Sequence, residues 1–173
     1  MKAKVNLAMT LFPVVAAVLL LIPTLCLQCA GIAVLVEWLR RVVAPQIHKF
    51  SPTRSAVLVV QSAIAIIALH GLVILLWACF YRSWCFPSWE LAFYFSASSY
   101  ATVGYGDVIL PIKWRLLGPL ESMTGLLMCG VSVCVLFALI TRLVESDTRY
   151  SQKQMEVAGS RAGSVHSGKK GHA

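Results

Sequence analysis

Apolar residues in this chain fall into three long blocks, with neither the two-residue alternation of half-buried strands nor the narrow stripe of a soluble amphipathic helix. Residues 5–36 carry no charge, residues 56–81 have only His70 as a possible charge, and residues 116–144 contain Glu121 and Arg142. Each block is longer than the ~20 residues that cross a hydrocarbon core. The pattern predicts three transmembrane helices, with lengths that permit tilt without specifying it. Pro13 and Pro23 predict a kink or interruption in the first, since proline removes one intrahelical hydrogen bond.

The breaks between blocks carry the polar residues. Residues 37–50 mix apolar and basic positions, which suits either a segment lying along the headgroups or a solvated linker, and Pro45 and Pro52 limit any helix there. From Ser146 onward the chain is rich in Ser, Gly, Lys and His, the composition of a disordered basic tail. Between the second and third blocks, Ser88 follows Pro87 as a good N-cap and Glu90 falls in the first turn, predicting a short helix over residues 88–101. Trp77, Tyr81, Trp84, Phe86, Trp89 and Trp114 gather around this region, as an aromatic belt at the water interface or as internal packing.

Composition agrees with the pattern: 58% of residues are hydrophobic and only 13% charged, which excludes an ordinary soluble domain. The formal net charge of +8 sits in short membrane-flanking segments, so it marks topology and gives no reason to expect a nucleic-acid partner. Lys2 and Lys4 precede an apolar run too long for a cleaved signal, so that run is read as a retained span. No arrangement of nucleophile, base and orienting group appears, nor a phosphate loop or metal cluster. The chain is not expected to be an enzyme, and no catalytic residue or cofactor is assigned. Cys26 and Cys29 read as structural thiols; Cys79 and Cys85 are close enough in sequence to consider a bridge, which needs a geometry that sequence does not supply.

The chemistry concentrates in Thr102-Val103-Gly104-Tyr105-Gly106-Asp107. Glycine at every second position allows a near-extended segment to turn successive carbonyl oxygens to one side. Four copies about an axis would stack rings of oxygens from Thr102, Val103, Gly104 and Tyr105, with the Thr102 hydroxyl as an innermost ring, replacing the water around a potassium ion. The complete TVGYG motif followed by an acidic residue, set between two bilayer-length spans, resembles the pore-loop potassium channel superfamily. The likeness is to its small bacterial two-helix-pore type, with one extra N-terminal transmembrane helix.

That resemblance implies an all-α membrane protein with three transmembrane helices per chain and a re-entrant pore helix and selectivity filter, assembled around a fourfold pore. The implied layout is an N-terminal span (1–36), a cytoplasmic basic linker (37–55), a pore domain (56–144) with pore helix 88–101, filter 102–106 and inner helix 112–144, and a disordered basic tail (145–173). The implied partners are further copies of the chain as a homotetramer, permeant K+ and membrane lipids. The implied location is the cell membrane, as a multi-pass protein of a bacterial inner membrane. In the family the pore loop enters from outside, which puts Arg40, Arg41, Lys49, Arg54, Arg142, Arg149, Lys153, Arg161, Lys169 and Lys170 in the cytoplasm and the N-terminus outside. A less selective cation channel and a nonconducting subunit of a related channel remain open at this level.

Residues Thr102, Val103, Gly104, Tyr105 and Gly106 form the implied filter. Asp107, Tyr94, Phe95 and Ser98 are its candidate supports, with Tyr94 and Phe95 standing where many relatives have paired tryptophans. Ser98 occupies a position where some relatives carry a glutamate that pairs with the acidic residue after the filter, so Asp107 is expected to lack that partner. An intramembrane carboxylate needs hydrogen bonds, and Glu121, with Ser122, is expected behind the filter against hydroxyls or backbone of the short helix; a watery helix end is the alternative. Gly125 and Gly130 are candidate gating hinges, or points of close helix packing. Val131, Val135, Ala138 and their neighbours are candidates for the inner pore. No span carries a basic residue at every third position, so no voltage sensor is expected.

Overall fold

The computed structural model describes residues 2–43 and 52–168. The connection around Pro45 and Lys49, and the terminal Lys169 and Lys170, lie outside the described residues. Among those described there is no strand, and the chain runs as α1 (Lys2–Val43), α2 (Pro52–Trp84), α3 (Trp89–Tyr100), a 3-10 turn (Ile112–Trp114) and α4 (Leu117–Gly168). Three segments are long and apolar enough to cross a membrane, Val14–Val42, Thr53–Trp84 and Ile112–Glu145.

Two helices exceed what composition predicts. α1 passes through Pro13 and Pro23 and continues to Val43, because hydrocarbon offers the backbone no water and an unwound turn would cost more than one missing helical bond. Its last turns also gain the Glu37–Arg41 pair at 2.9 Å. The segment read as a disordered tail continues α4 to Gly168. Extending a helix that a span has already nucleated fixes one residue per added bond and avoids the cost of a new nucleus, and Glu145 supports the extension by pairing with Arg149 at 3.5 Å.

α3 is short because its ends are fixed chemically. Ser88 is extended, with φ −127° and ψ 153°, and its hydroxyl accepts the Leu91 N–H, while Glu90 lies in the first turn where negative charge suits the dipole. α2 ends with the N–H groups of Cys85 and Phe86 both bonding the Tyr81 carbonyl, each at 2.8 Å.

Two clusters hold the helices together. One gathers Ala17 and Leu20 of α1, Val73, Trp77 and Tyr81 of α2, Ala92 and Tyr100 of α3, and Leu110, Trp114 and Leu117. The other joins Leu35 and Leu39 of α1, Ile66 of α2, and Leu139 and Leu143 of α4. α3 thus packs at one end of a three-helix bundle, against the first cluster only. The aromatic residues divide accordingly: Trp77, Tyr81 and Trp114 are core, whereas Trp84 and Trp89 are 56% exposed. The Trp77 indole N–H donates to Thr24 Oγ1 at 3.0 Å, and that hydroxyl donates to the Leu20 carbonyl at 2.8 Å, so a buried polar tip ties α2 to α1. Cys85 is half-buried at this end, and burial pushes its thiol up to about 11 despite the nearby Lys113 ammonium. All six cysteines are free.

Replacing Trp77 by Ala removes one of the two tryptophans of the first cluster together with its bond to α1. The variant is expected to lose about 3–5 kcal/mol of stability, read as a lowered midpoint of thermal or denaturant unfolding in detergent; an unchanged midpoint would show that α1 docks by other contacts.

Candidate functional site

The segment after α3 departs from helix in a defined way. Its N–H groups fold back onto the last carbonyls of α3: Ala101 bonds Ala97 at 3.0 Å, Thr102 bonds Ser99 at 2.9 Å, and Val103 and Gly104 both bond the Ser98 carbonyl at 2.9 and 3.3 Å. Thr102, Gly104 and Gly106 have φ of +60°, +56° and +80°. Every second residue is therefore left-handed, the backbone alternation that lets successive carbonyls share one side. Sequence reasoning places this freedom at the glycines alone, yet Thr102 joins the alternation at a cost of ~1–2 kcal/mol for a residue with a Cβ. Among the described residues, the carbonyls of Thr102, Val103, Gly104 and Tyr105 accept no hydrogen bond from the chain. Val103 and Tyr105 are 50% and 71% exposed, so one copy of the chain leaves this segment open.

The neighbouring side chains brace it from two directions. Tyr94 donates its hydroxyl to Asp107 Oδ2 at 2.8 Å, Asp107 Oδ1 accepts the Val108 N–H at 3.0 Å, and the Tyr94 and Tyr105 rings stack with centroids 6.4 Å apart. Asp107 thus has a phenol where some relatives of the resembling family supply a carboxylate. Ser98 serves through its backbone, as the carbonyl that receives Val103 and Gly104. Phe95 turns the other way, edge-on to Tyr81 at 5.1 Å and tilted against Phe86 at 5.5 Å.

Behind α3 lies Glu121, with no exposed surface. Its Oε1 accepts from Ser96 Oγ at 2.5 Å and its Oε2 from Tyr81 OH at 2.8 Å, while Ser96 Oγ also lies 3.0 Å from the Ile74 carbonyl. One carboxylate therefore joins α2, α3 and α4. Ser122, next along α4, donates to the Ser99 carbonyl at 2.6 Å and its Oγ also lies 3.0 Å from the Gly118 carbonyl, and so touches the residue that also receives the Thr102 N–H.

The two candidate hinge glycines stand in different surroundings. A Cβ on Gly125 would overlap the Tyr100 carbonyl, so α4 passes directly against the end of α3 there, whereas Gly130 has open space around it. The inner-pore candidates also separate. Val135 and Ala138 line a crevice shared with α1, while Val131 is 41% exposed and Met123 and Phe137 each 70%. The physical reason is the presence of α1, which covers one side of α4.

A further polar chain was not legible as a unit in the sequence. His70 Nδ1 lies 2.8 Å from Tyr100 OH and Nε2 lies 3.0 Å from Ser132 Oγ, and Gln28 Nε2 donates to the same Ser132 oxygen at 3.4 Å. It joins all four helices, ending two residues before Thr102. The signal that marks its members is polarity inside an apolar span, but sequence does not say which of them meet. Among the described residues no group of three or more His, Cys, Asp or Glu side chains could hold a metal ion.

The family model described as Ion channel matches residues 62–142, covering most of α2, all of α3, the left-handed segment and α4 as far as Arg142. No curated protein and no solved structure matches the chain.

Two outcomes follow from this geometry. Glu121→Gln places an amide where a carboxylate accepts two hydroxyl bonds, and Ser96→Ala removes one donor; each is expected to lower stability by about 1.5–3 kcal/mol, with the double variant losing less than the sum because the groups share one network. Equal melting of all variants and wild type would contradict this. Gly125→Ala is expected to cost about 1–3 kcal/mol through collision with the Tyr100 backbone, while Gly130→Ala is neutral or gains up to about 1 kcal/mol of helix propensity; paired thermal unfolding curves check the contrast.

Proposed function

We propose that this chain, whose residues 62–142 match the family model described as Ion channel, is one quarter of a homotetrameric, potassium-selective channel through which K+ moves passively down its electrochemical gradient. The observation that carries this reading is the one-sided use of the backbone at residues 102–105. Among the described residues nothing donates to their carbonyls, while the N–H groups of Thr102, Val103 and Gly104 are engaged by α3. A carbonyl left open in a membrane is costly, and a partly dehydrated cation repays that cost. Rings from Thr102, Val103, Gly104 and Tyr105, with the Thr102 hydroxyl below them, bind K+ in this reading, and Gly106 carries the chain out to Asp107. The fourfold arrangement follows from need: one copy supplies a quarter of a shell.

The layout is a multi-pass protein of the cell membrane, with residues 1–36 as an extra span, 37–55 as a cytoplasmic link, 56–144 as the pore domain and 145–173 as a cytoplasmic end. The filter faces outward, and Arg40, Arg41, Arg54, Arg142 and Arg149 face the cytoplasm as the positive-inside tendency favours. A bacterial inner membrane suits this size and motif. Transport of this kind needs no cofactor and no covalent step; the partners are other copies, K+ and lipid.

The test is flux from the purified full chain in liposomes. K+ flux with a reversal potential that follows the K+ gradient against Na+, abolished by Gly104→Ala in a protein that still assembles, is the expected result. Flux that survives Gly104→Ala would remove residues 102–106 from the pathway, reversal near zero with K+ opposed to Na+ would indicate a less selective cation pore, and absence of flux from the chain alone would indicate a nonconducting subunit.

A further inference from the structure

At the end of the bundle away from α3, α1 and α4 share a crevice of about 170 Å³, lined by Val36, Leu39, Val135, Ala138 and Leu139 together with Arg40 and Arg142. Arg40 lies two residues before the end of its apolar span at Val42, and Arg142 three before the end of its span at Glu145. Both guanidinium groups are therefore at headgroup depth, with the apolar lining reaching toward the hydrocarbon. The nearby carboxylates are already engaged, Glu37 by Arg41 at 2.9 Å and Glu145 by Arg149 at 3.5 Å. Among the described residues neither Arg40 nor Arg142 has an acidic partner. Two unneutralised cations at one crevice repel each other, and an anion between them removes that repulsion.

We propose that this crevice binds an anionic phospholipid, whose phosphate bridges Arg40 and Arg142 and whose acyl chain lies on Val36, Val135 and Ala138. Arginine recognises phosphate through paired N–H donors, and basic pockets between helices at the cytoplasmic face hold anionic headgroups. At about 170 Å³ the space holds less than one turn of another helix, which is about 10 Å across with a 5.4 Å pitch, and its apolar wall has no use for a free soluble anion. A lipid in this place would fasten α1 to the inner helix, whichever ion the pore passes.

The experiment titrates phosphatidylglycerol, with phosphatidylcholine as the neutral control, into detergent-solubilised full-length protein and counts bound lipids by native mass spectrometry. Arg40→Gln and Arg142→Gln are each expected to weaken phosphatidylglycerol binding about fivefold, and the double variant by more. Lys113→Gln/Arg115→Gln, which removes the same charge at the opposite end of the bundle beside Trp114 and leaves Glu37 and Glu145 paired, is expected to leave it unchanged. Ala138→Phe fills the crevice while keeping both charges and is expected to weaken binding as well, a readout that does not depend on the arginine variants assembling. Equal binding by the two double variants, or binding untouched by Ala138→Phe, would overturn the site. So would full displacement of the lipid by millimolar inorganic phosphate, or loss of the bound lipid on assembly because a neighbouring copy covers the crevice.

Discussion

Within a bilayer each unpaired backbone group costs several kcal/mol, and everything distinctive in this fold follows from a segment that leaves carbonyls unpaired on one side only. The N–H groups of Thr102, Val103 and Gly104 are absorbed by the last carbonyls of α3, which a helix end leaves free. Two liabilities therefore offset each other in part: the Ala97, Ser98 and Ser99 carbonyls gain donors, and the N–H groups of residues 101–104 gain acceptors. What remains is a line of acceptors that the chain itself does not satisfy, held by a helix too short to shift without disturbing every bond at its end.

Fixing α3 is consequently the main structural task of the surrounding residues. Glu121 reaches it through Ser96, Ser122 through the Ser99 carbonyl, and α4 touches its final residue at Gly125 with nothing but hydrogen between the backbones. The apolar contacts of Phe95, Tyr81 and Phe86 fill the side away from the open carbonyls. A carboxylate buried this fully is weak ground for added stability in itself, yet two hydroxyl donors from different helices give it a role that a leucine could not take, since they fix the relative register of α2, α3 and α4. Apolar side chains pack in several registers; a hydrogen-bonded carboxylate does so in one.

The sequence made much of this visible. Three apolar blocks, the Ser88 cap, the TVGYGD segment and the need of Glu121 for partners on the short helix are all readable from residue type and spacing. What it left open shares one cause, that composition reports the preference of a segment and not what covers it. Trp77, Tyr81 and Trp114 suit an interfacial belt and internal packing equally, and the first cluster buries them. Val135 and Ala138 have the small apolar character of a helix wall, and α1 lines the same crevice. The residues after Ser146 have a solvated composition, but a helix already begun is cheap to extend. Thr102 looks like a ligand only, and its left-handed backbone emerges from the bonds that its neighbours make to α3.

The hidden property of α1 has a similar origin. A helix that is apolar all round presents no hydropathic stripe to say which face turns inward, and lipid is as good an apolar partner as leucine. Leu20, Thr24, Gln28, Gly31, Leu35 and Leu39 nevertheless lie along one face at spacings of three and four residues, and this is the face that meets the rest of the chain: Thr24 receives Trp77, Gln28 reaches Ser132, Gly31 lies against Leu69, and Leu35 and Leu39 join the second cluster. Two polar side chains and one missing side chain thus set the rotation of a helix that hydrophobicity alone leaves undetermined. Because Ser132 also meets His70, and His70 meets Tyr100, the contact that orients α1 continues to the foot of the open-carbonyl segment. α1 lies outside the family match at residues 62–142 and is still wired to the part of the chain that the match defines.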